Sequence, residues 1–492
     1  MVPFEPFPLE SLCMAKFYFD ATQPLRWGPH PPVGIPRVES ALIRQVLRRT
    51  DLDVEFFLVE GGGKARMLTE AERSYLEALV ERRIPFIEGG GDATYPTRLR
   101  TVFQVIRASG GSTARELDRV AAGYLANRAD RSGWHFELAK LGVRLCRLLF
   151  AAGAARGGPR QDPLADPEAH CFLSNTGLHS IAGHRSAGVR AKVTAILHDT
   201  IPLDMPELVQ KGHAASFSRD FRWMLERCSQ LVCVSEYSAR TAQAGVEDQA
   251  GDRHRPKIAV NRLGAFLRES LEERPLEPVE SLVGGNFVVY CSTIEIRKNH
   301  ITLLRVWQRL MPRLGERMPQ LVICGRWGWM VEEVEQYLAD HPELAAKVSF
   351  LSGISDPQLA WLYQNARFGV FPSLAEGWGL GAAECLDFGL PVLVSDAAAL
   401  AEATQGLMPA IPALDVDGWA TAIERAATDD AWLASLRSEI AARYQPISEV
   451  DFAAGLVELM QALAASPADH VATAPVRLDR HAGEPAVGSA AT

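Results

Sequence analysis

At 492 residues the chain is too long for one ordinary domain, and two domains with a tail is the expectation. Its 47% hydrophobic and 23% charged content is that of a soluble globular protein. A formal net charge of −9 argues against nucleic acid as the main partner, although phosphates on a small ligand need only a local basic spot. The eight cysteines (Cys13, Cys146, Cys171, Cys228, Cys233, Cys291, Cys324 and Cys385) form no C-x-x-C pair, which points to reduced, buried thiols and argues against structural zinc. The segment Met1 to Pro8 lacks a basic region followed by an apolar core and does not read as a signal peptide. No apolar run approaches the ~20 residues needed to cross a bilayer. The longest, Val143 to Ala155, is broken by Arg144 and Arg147. The expected location is cytoplasmic, with room for peripheral association at the inner membrane.

In chain order, residues 1–14 read as an extension. Ala15 to Asp20 alternates like a short strand, and a Pro/Gly-rich loop runs through Pro36. Val38 to Arg49 reads as an amphipathic helix with Val38, Ala41, Leu42, Val46 and Leu47 on one side. Val54 to Val59 is a strand, and Leu68 to Arg83 a helix with Thr69 as N-cap. Gly89 to Arg131 is polar and reads as an insertion or loop. Trp134 to Phe150 is helical, and Gly153 to Glu168 is a loop. Strands follow at Cys171–Ser174, Lys192–Leu197, Leu231–Val234 and Ile258–Val260, with helices at Phe217–Cys228 and Ser238–Ala244. Ser270 to Gly285, rich in Glu, Pro and Gly, is the linker candidate.

A second series then begins. Strands are expected at Phe287–Cys291, Leu321–Cys324 and Val348–Leu351, with helices at Ile301–Leu314 and Val331–Asp340. Asp356 is the expected cap of a helix over Pro357–Gln364. Arg367 to Phe371 reads as a strand end, Ala382 to Phe388 as a helix closed by Gly389, and Pro391 to Ser395 as a strand. The fold class is therefore α/β, two Rossmann-like domains facing across a cleft, spanning 15–269 and 286–445. A C-terminal helix is expected over 446–466, and a disordered tail over 467–492.

Five stretches carry chemistry. Pro372-Ser-Leu-Ala-Glu376-Gly-Trp-Gly-Leu-Gly381-Ala-Ala-Glu384 places two carboxylates around a glycine turn between a strand and a helix. Backbone N–H groups at such a turn suit an anion. The glutamates do not, so sugar hydroxyls are their natural partners. Arg297-Lys298-Asn299 follows the first strand of the second domain, where a planar fork and a point charge can neutralise a diphosphate. Seen alone, the pair would read as solvated loop charges; its position at a strand's carboxyl end favours the diphosphate. In Leu197-His198-Asp199-Thr-Ile-Pro-Leu, His198 and Asp199 either organise a turn or meet a sugar hydroxyl across the cleft. Ser235 in Val-Ser-Glu-Tyr-Ser is either a plain N-cap or an anion contact, and Arg326 in Gly-Arg-Trp-Gly-Trp either reaches a phosphate or packs in its loop. The spacing Gly377-x-Gly379-x-Gly381 is not G-x-G-x-x-G and lies late in the domain, so a nicotinamide-binding reading loses.

Together these pieces resemble glycosyltransferase family 4 (group 1), the retaining nucleotide-sugar transferases of the GT-B fold, in their bacterial surface-polysaccharide form. The Glu-x7-Glu hallmark is Glu376 and Glu384, the Arg-Lys-Asn loop is Arg297 to Asn299, and the His-Asp motif is His198-Asp199. Ser235-Glu-Tyr-Ser and Ser355-Asp356-Pro-Gln-Leu-Ala-Trp-Leu-Tyr363 also match, as does Gly34-Ile-Pro-Arg37-Val-Glu39 near the N-terminus.

The resemblance implies roles. Arg297 and Lys298, with N–H groups near Gly379, Leu380 and Gly381, hold the donor diphosphate, and Arg326 adds a donor contact. Glu376 meets the donor sugar, and Glu384 the ribose. His198 contacts the transferred sugar. Gly34, Arg37, Asp199 and Ser235 line the acceptor or phosphate loop. No metal or other cofactor is expected, because Arg and Lys stabilise the leaving diphosphate. Many relatives carry Pro and a bulky residue where this chain has Gly381-Ala382-Ala383, and smaller residues are expected to loosen the helix start. The implied function is a metal-independent hexosyltransferase of surface-polysaccharide (lipopolysaccharide) synthesis. It takes a nucleotide sugar, GDP-mannose first and UDP-glucose or dTDP-rhamnose next, and a saccharide or lipid-linked saccharide acceptor. The rival readings are a non-catalytic GT-B scaffold and a GT-B epimerase or phosphorylase.

Overall fold

A computed structural model describes residues 16–28, 33–83, 99–100, 102–104, 106, 134–151, 161–184, 188–249, 255–264, 266–267, 279–282 and 284–466. The expectations for the 1–14 extension, most of 89–131, most of the 270–285 linker and the 467–492 tail lie outside these residues.

Two parallel sheets form the frame. The first has seven strands in the order β3-β2-β1-β4-β5-β6-β7. These are β1 (Phe17–Asp20), β2 (Val54–Val59), β3 (Ala65–Met67), β4 (His170–Leu173), β5 (Lys192–Leu197), β6 (Gln230–Cys233) and β7 (Lys257–Val260). All pair in parallel except β3, which turns back antiparallel on β2 through Gly62 and Gly63, both at positive φ. Sequence patterning did not find β3 because its three residues, Ala-Arg-Met, carry too little alternation to stand out. The central strands β4, β5 and β6 are short, mostly apolar runs buried on both faces, as sheets covered by helices require. Those helices are α1 (Thr22–Trp27), α2 (Ile35–Leu47), α3 (Glu70–Val80), α4 (Trp134–Ala151), α5 (Asn175–Ala182), α6 (Ile201–Asp204), α7 (His213–Arg227) and α8 (Glu236–Gln249).

The second sheet has six strands, all parallel, in the order β10-β9-β8-β11-β12-β13. They are β8 (Phe287–Cys291), β9 (Gln320–Cys324), β10 (Val348–Leu351), β11 (Gly369–Phe371), β12 (Val392–Ser395) and β13 (Ala410–Ile411). Around them lie α9 (His300–Leu314), α10 (Glu332–Asp340), α11 (Asp356–Asn365), α12 (Leu380–Asp387), α13 (Ala398–Ala403), α14 (Val416–Thr428) and α15 (Asp430–Arg443). The last helix, α16 (Glu449–Ala465), crosses back to the first domain. There Phe452, Leu456 and Met460 share a core with Leu42 and Val46 of α2, and Glu449 accepts from both Arg44 and Gln45. That apolar core also takes in Trp378, Ala383 and Ala403 of the second domain, so the domains meet through buried carbon as well as polar contacts.

Helix ends follow local chemistry, with departures. Thr69 caps α3 through a capping box with Glu72. The helix expected to start at Val38 starts at Ile35, because Pro36 fits a first turn and Gly34, at φ 58°, turns the chain into it. Asp356 is not the cap of α11. Ser355 is, in a capping box with Gln358, and the Asp356 carboxylate is turned to another use. The pattern S-x-x-Q was in the sequence and would have found that cap. Cys171, Cys228, Cys233, Cys291, Cys324 and Cys385 are free thiols, and burial pushes Cys233 up to about 12.

Candidate functional site

The carboxyl end of β8 runs into the short turn Ile296–Lys298 and then Asn299, a non-glycine residue at φ 55°. Asparagine tolerates that conformation, and here it is also tied down. Its Nδ2 donates to the carbonyls of Pro372 (3.0 Å) and Ala413 (2.8 Å), and its Oδ1 accepts from the Thr302 hydroxyl (2.8 Å). The Tyr290 hydroxyl, buried on β8, donates to the Lys298 carbonyl at 2.6 Å. The Leu374 N–H donates to the Arg297 carbonyl at 2.8 Å. Arg297 and Lys298 are thereby held against the loop after β11.

Arg297 donates to Glu376 Oε2 at 2.9 Å and to the Ala375 carbonyl at 2.9 Å, and it also pairs with Glu295 at 2.9 Å. Lys298 Nζ donates to Glu376 Oε1 at 2.5 Å, and the Ser373 hydroxyl donates to the same oxygen at 2.8 Å. Burial alone would raise the Glu376 carboxyl, but Lys298 and Arg297 outweigh it and hold it at about 2. Burial and the neighbouring guanidinium push Lys298 below its ordinary value, while Glu376 and Glu295 more than offset the burial of Arg297. Two cations thus converge on one carboxylate at a strand's carboxyl end. That cluster can receive a dianion if the carboxylate yields its partners to phosphate oxygens.

Gly379 takes φ 102° as the N-cap of α12, where an added Cβ would meet Leu400 at 2.5 Å. A Cβ on Gly381 would lie 2.7 Å from the Phe371 ring and 3.1 Å from the Cys291 carbonyl, and Ala382 is wholly buried. The loosening expected of Gly381-Ala382-Ala383 is therefore absent: small residues are what lets this turn close on β8 and β11. One helical turn on, Glu384 is buried. Its Oε1 accepts from Arg37 at 3.0 Å and its Oε2 from the Tyr363 hydroxyl at 3.2 Å. Burial raises this carboxyl and Arg37 opposes. Arg37 shares its charge with Asp356, so the net result is a rise to about 7.

The first domain presents His198 and Asp199 just after β5. Asp199 Oδ1 accepts the Ile201 N–H at 3.1 Å, the turn-forming half of its expected alternatives. Burial raises its carboxyl, against Arg297, which places it in the field of the cluster. His198 Nε2 is buried with no hydrogen-bond partner, and burial lowers the imidazole to about 4, leaving it neutral at pH 7. The two loops touch at Gly377. Its carbonyl accepts from the hydroxyls of Ser235 (2.7 Å) and Ser238 (3.2 Å), and an added Cβ would sit 2.1 Å from the His198 carbonyl oxygen. Ser235 Oγ also accepts the Ser238 N–H at 2.9 Å, so it serves both as helix cap and as interdomain clasp.

The structure thus gathers Arg297, Lys298, Glu376, His198, Asp199, Ser235 and the Gly379–Gly381 turn around one cleft. Gly34 lies at the start of α2 with open space where a side chain would go. Arg37, expected on the acceptor or phosphate loop, reaches Glu384 and Asp356 instead. Arg326 is exposed after β9 and, among the described residues, makes no hydrogen bond to the cluster, while neighbouring Trp327 stacks on Phe350 at 5.2 Å. Sequence reading missed Tyr363 and Asp356 as partners in the site. It also missed Glu402, whose carboxylate accepts the N–H groups of Glu236 (2.9 Å) and Tyr237 (3.3 Å) at the start of α8. No local pattern signals a cap supplied from another domain. Among the described residues, no group of three or more His, Cys, Asp and Glu could hold a metal ion.

Comparison with known proteins fits this geometry. Residues 276–440 match the family described as glycosyl transferases group 1. The chain is 30% identical over 232 residues to the serotype-specific mannosyltransferase WbdA of Escherichia coli, covering 45% of this chain and 28% of that protein. It is 34% identical over 247 residues to the O-antigen chain mannosyltransferase RfbU of Salmonella typhimurium, covering 49% and 62%. In each case the matched region is less than two thirds of the relative's length. Among solved structures, HepE of Anabaena in complex with UDP and glucose superposes with a TM-score of 0.55 at 15% identity, over 91% of this chain and 100% of that one. Sucrose-phosphate synthase of Thermosynechococcus elongatus does so with 0.55 at 15%, over 91% and 99%. The chain thus has a GT-B α/β fold, and its residues 276–440 are similar to the family described as glycosyl transferases group 1.

Proposed function

We propose that this protein is a retaining, metal-independent hexosyltransferase that moves mannose from GDP-mannose to a saccharide or lipid-linked saccharide during surface-polysaccharide synthesis. The carrying observation is the Arg297–Lys298–Glu376 cluster, which faces His198 and Asp199 of the other domain across a shared loop contact. In this reading the donor diphosphate takes Arg297, Lys298 and the N–H groups at the start of α12, and Glu376 is released toward the hydroxyls of the transferred sugar. Neutral His198 meets that sugar from the first domain. The names of the relatives, a serotype-specific mannosyltransferase and an O-antigen chain mannosyltransferase, support mannose as the sugar and a polysaccharide as the product. No helix among the described residues is long and apolar enough to cross a membrane.

Arg297 and Lys298 stabilise charge on the departing diphosphate as the bond from anomeric carbon to phosphate oxygen breaks. The acceptor oxygen bonds to the same face of that carbon, and its proton passes to the leaving phosphate oxygen. A thermal-shift screen of nucleotide sugars tests the donor, because a ligand of the folded state raises the melting temperature. GDP-mannose should give the largest rise and, with acceptor, release GDP and an α-linked product. An inverted anomer would overturn the retaining mechanism, and no shift with any nucleotide sugar would overturn the transferase reading.

A further inference from the structure

The reading above leaves a set of buried charges across the cleft without a task. Arg37, on the first turn of α2, donates to Glu384 Oε1 at 3.0 Å and to Asp356 Oδ1 at 2.6 Å. Arg82 donates to Asp356 Oδ2 at 2.8 Å, and Tyr363 donates to Glu384 Oε2 at 3.2 Å. Arg37 and Arg82 come from the first domain; Asp356, Tyr363 and Glu384 from the second. Arg37, Asp356 and Glu384 are only 7%, 8% and 2% exposed. Both oxygens of Glu384 therefore have a partner, and with the side chain almost wholly covered, ribose hydroxyls can reach it only when a covering group moves.

The two partners are not equally placed to leave. Tyr363 is fully buried in the core of the same domain as Glu384 and moves with it. Arg37 belongs to the opposite domain and has a second carboxylate, Asp356, that can keep its charge paired. Withdrawing Arg37 from Glu384 thus leaves no unpaired guanidinium, whereas withdrawing Tyr363 would unpack a core. Burial raises the Glu384 carboxyl to about 7 even beside Arg37, so hydroxyl donors must take the place of the guanidinium as it withdraws.

We propose that Arg37 is a positioning residue that gates the nucleoside: it pairs with Glu384 and withdraws onto Asp356 when ribose hydroxyls take its place. This rests on the reading that Glu384 accepts the donor ribose. The gate makes the cleft selective, because a ligand must supply hydroxyl groups to repay the displaced ion pair. It also lowers apparent affinity, since only the fraction of the protein with Arg37 withdrawn is competent to bind.

The test is isothermal titration of the full chain with GDP and with 2′,3′-dideoxy-GDP, for the wild type, Arg37→Met and Arg37→Lys. Methionine keeps the apolar stem without the charge. Gating predicts that Arg37→Met binds GDP about tenfold more tightly than the wild type, because the competitor is gone. Arg37→Lys, a point charge unable to fork between two carboxylates, should tighten binding by a smaller factor and stands in if the methionine variant does not fold. A residue that merely supports the fold would weaken binding on removal. Unchanged or weaker GDP binding in both variants overturns the gate while leaving the ribose contact intact, provided the wild type prefers GDP to its dideoxy analogue. Equal wild-type affinity for the two ligands removes the ribose role of Glu384, and the gate with it.

Discussion

Gly377→Ala isolates the contact between the two domains. Gly377 has no positive φ, so alanine meets no backbone strain there. Its Cβ would stand 2.1 Å from the His198 carbonyl oxygen, 2.9 Å from Asp199 Cβ and 3.0 Å from the His198 carbonyl carbon. All three belong to the first domain and two are backbone, so no side chain can swing aside. Restoring an ordinary contact requires the loops to part by about 1 Å, close to the displacement at which catalytic alignment fails by roughly a hundredfold. The same movement stretches the Ser235 and Ser238 bonds to the Gly377 carbonyl beyond hydrogen-bonding range, from 2.7 and 3.2 Å. At about 1 kcal/mol each, their loss alone lowers the docking equilibrium constant roughly thirtyfold. Turnover should therefore fall about 30- to 100-fold. Affinity for GDP should stay within about threefold, because Arg297 and Lys298 are held by Asn299 and Tyr290 in their own domain. Steady-state kinetics and calorimetry read the two quantities separately. The double variant Ser235→Ala/Ser238→Ala removes the bonds without the clash and should show only the smaller part of the loss. If Gly377→Ala turned over at the wild-type rate, the loop contact would play no part in assembling the site. If it lost GDP affinity as severely as turnover, the clash would be absorbed within the donor domain and the argument would be wrong.

Other expectations follow from the same charges. Lys298→Ala removes one of the two cations and should weaken GDP binding about 10- to 100-fold by calorimetry; normal binding and turnover would show that the diphosphate lies elsewhere. Glu376→Gln frees both cations of their carboxylate, so GDP should bind at least as tightly while transfer to acceptor falls sharply, and a parallel loss of both would deny Glu376 a contact to the reacting sugar. His198 titrates at about 4 folded against 6.5 as its ordinary value, because burial disfavours its cation. Its depressed value means that the unfolded chain binds the proton first. Its share of stability is thus complete above pH 6.5 and lost as pH falls toward 4. The stability of the wild type relative to His198→Gln should decline by up to about 3 kcal/mol across that window in denaturant titrations, and a pH-independent difference would show that the imidazole is not buried as described.

Much was legible in the chain before any coordinates, and much was not. Strands such as Lys192–Leu197 and Phe287–Cys291 announce themselves as apolar runs between turn signals, since a sheet covered on both faces has no other composition open to it. The Glu376–Glu384 turn and the Arg297–Lys298 pair are legible because local geometry dictates them: glycine at φ 102° before a helix, asparagine at φ 55° after a cation pair. The cap at Ser355 was legible too and was misplaced onto Asp356, a residue that folding diverts to Arg37 and Arg82. Those partners are remote in sequence, and no spacing rule joins them. The same holds for Glu402 at the start of α8 and for Gly377 against His198, where the need for glycine comes from a backbone in the other domain. The sequence by itself determined most strands of the two sheets, the glycine turn before α12 and the cation pair, because each depends on residues within a few positions of one another. Only the tertiary structure decided that Arg37 covers Glu384 and that the domains close on Gly377, because contacts between distant segments are set by how two finished domains pack.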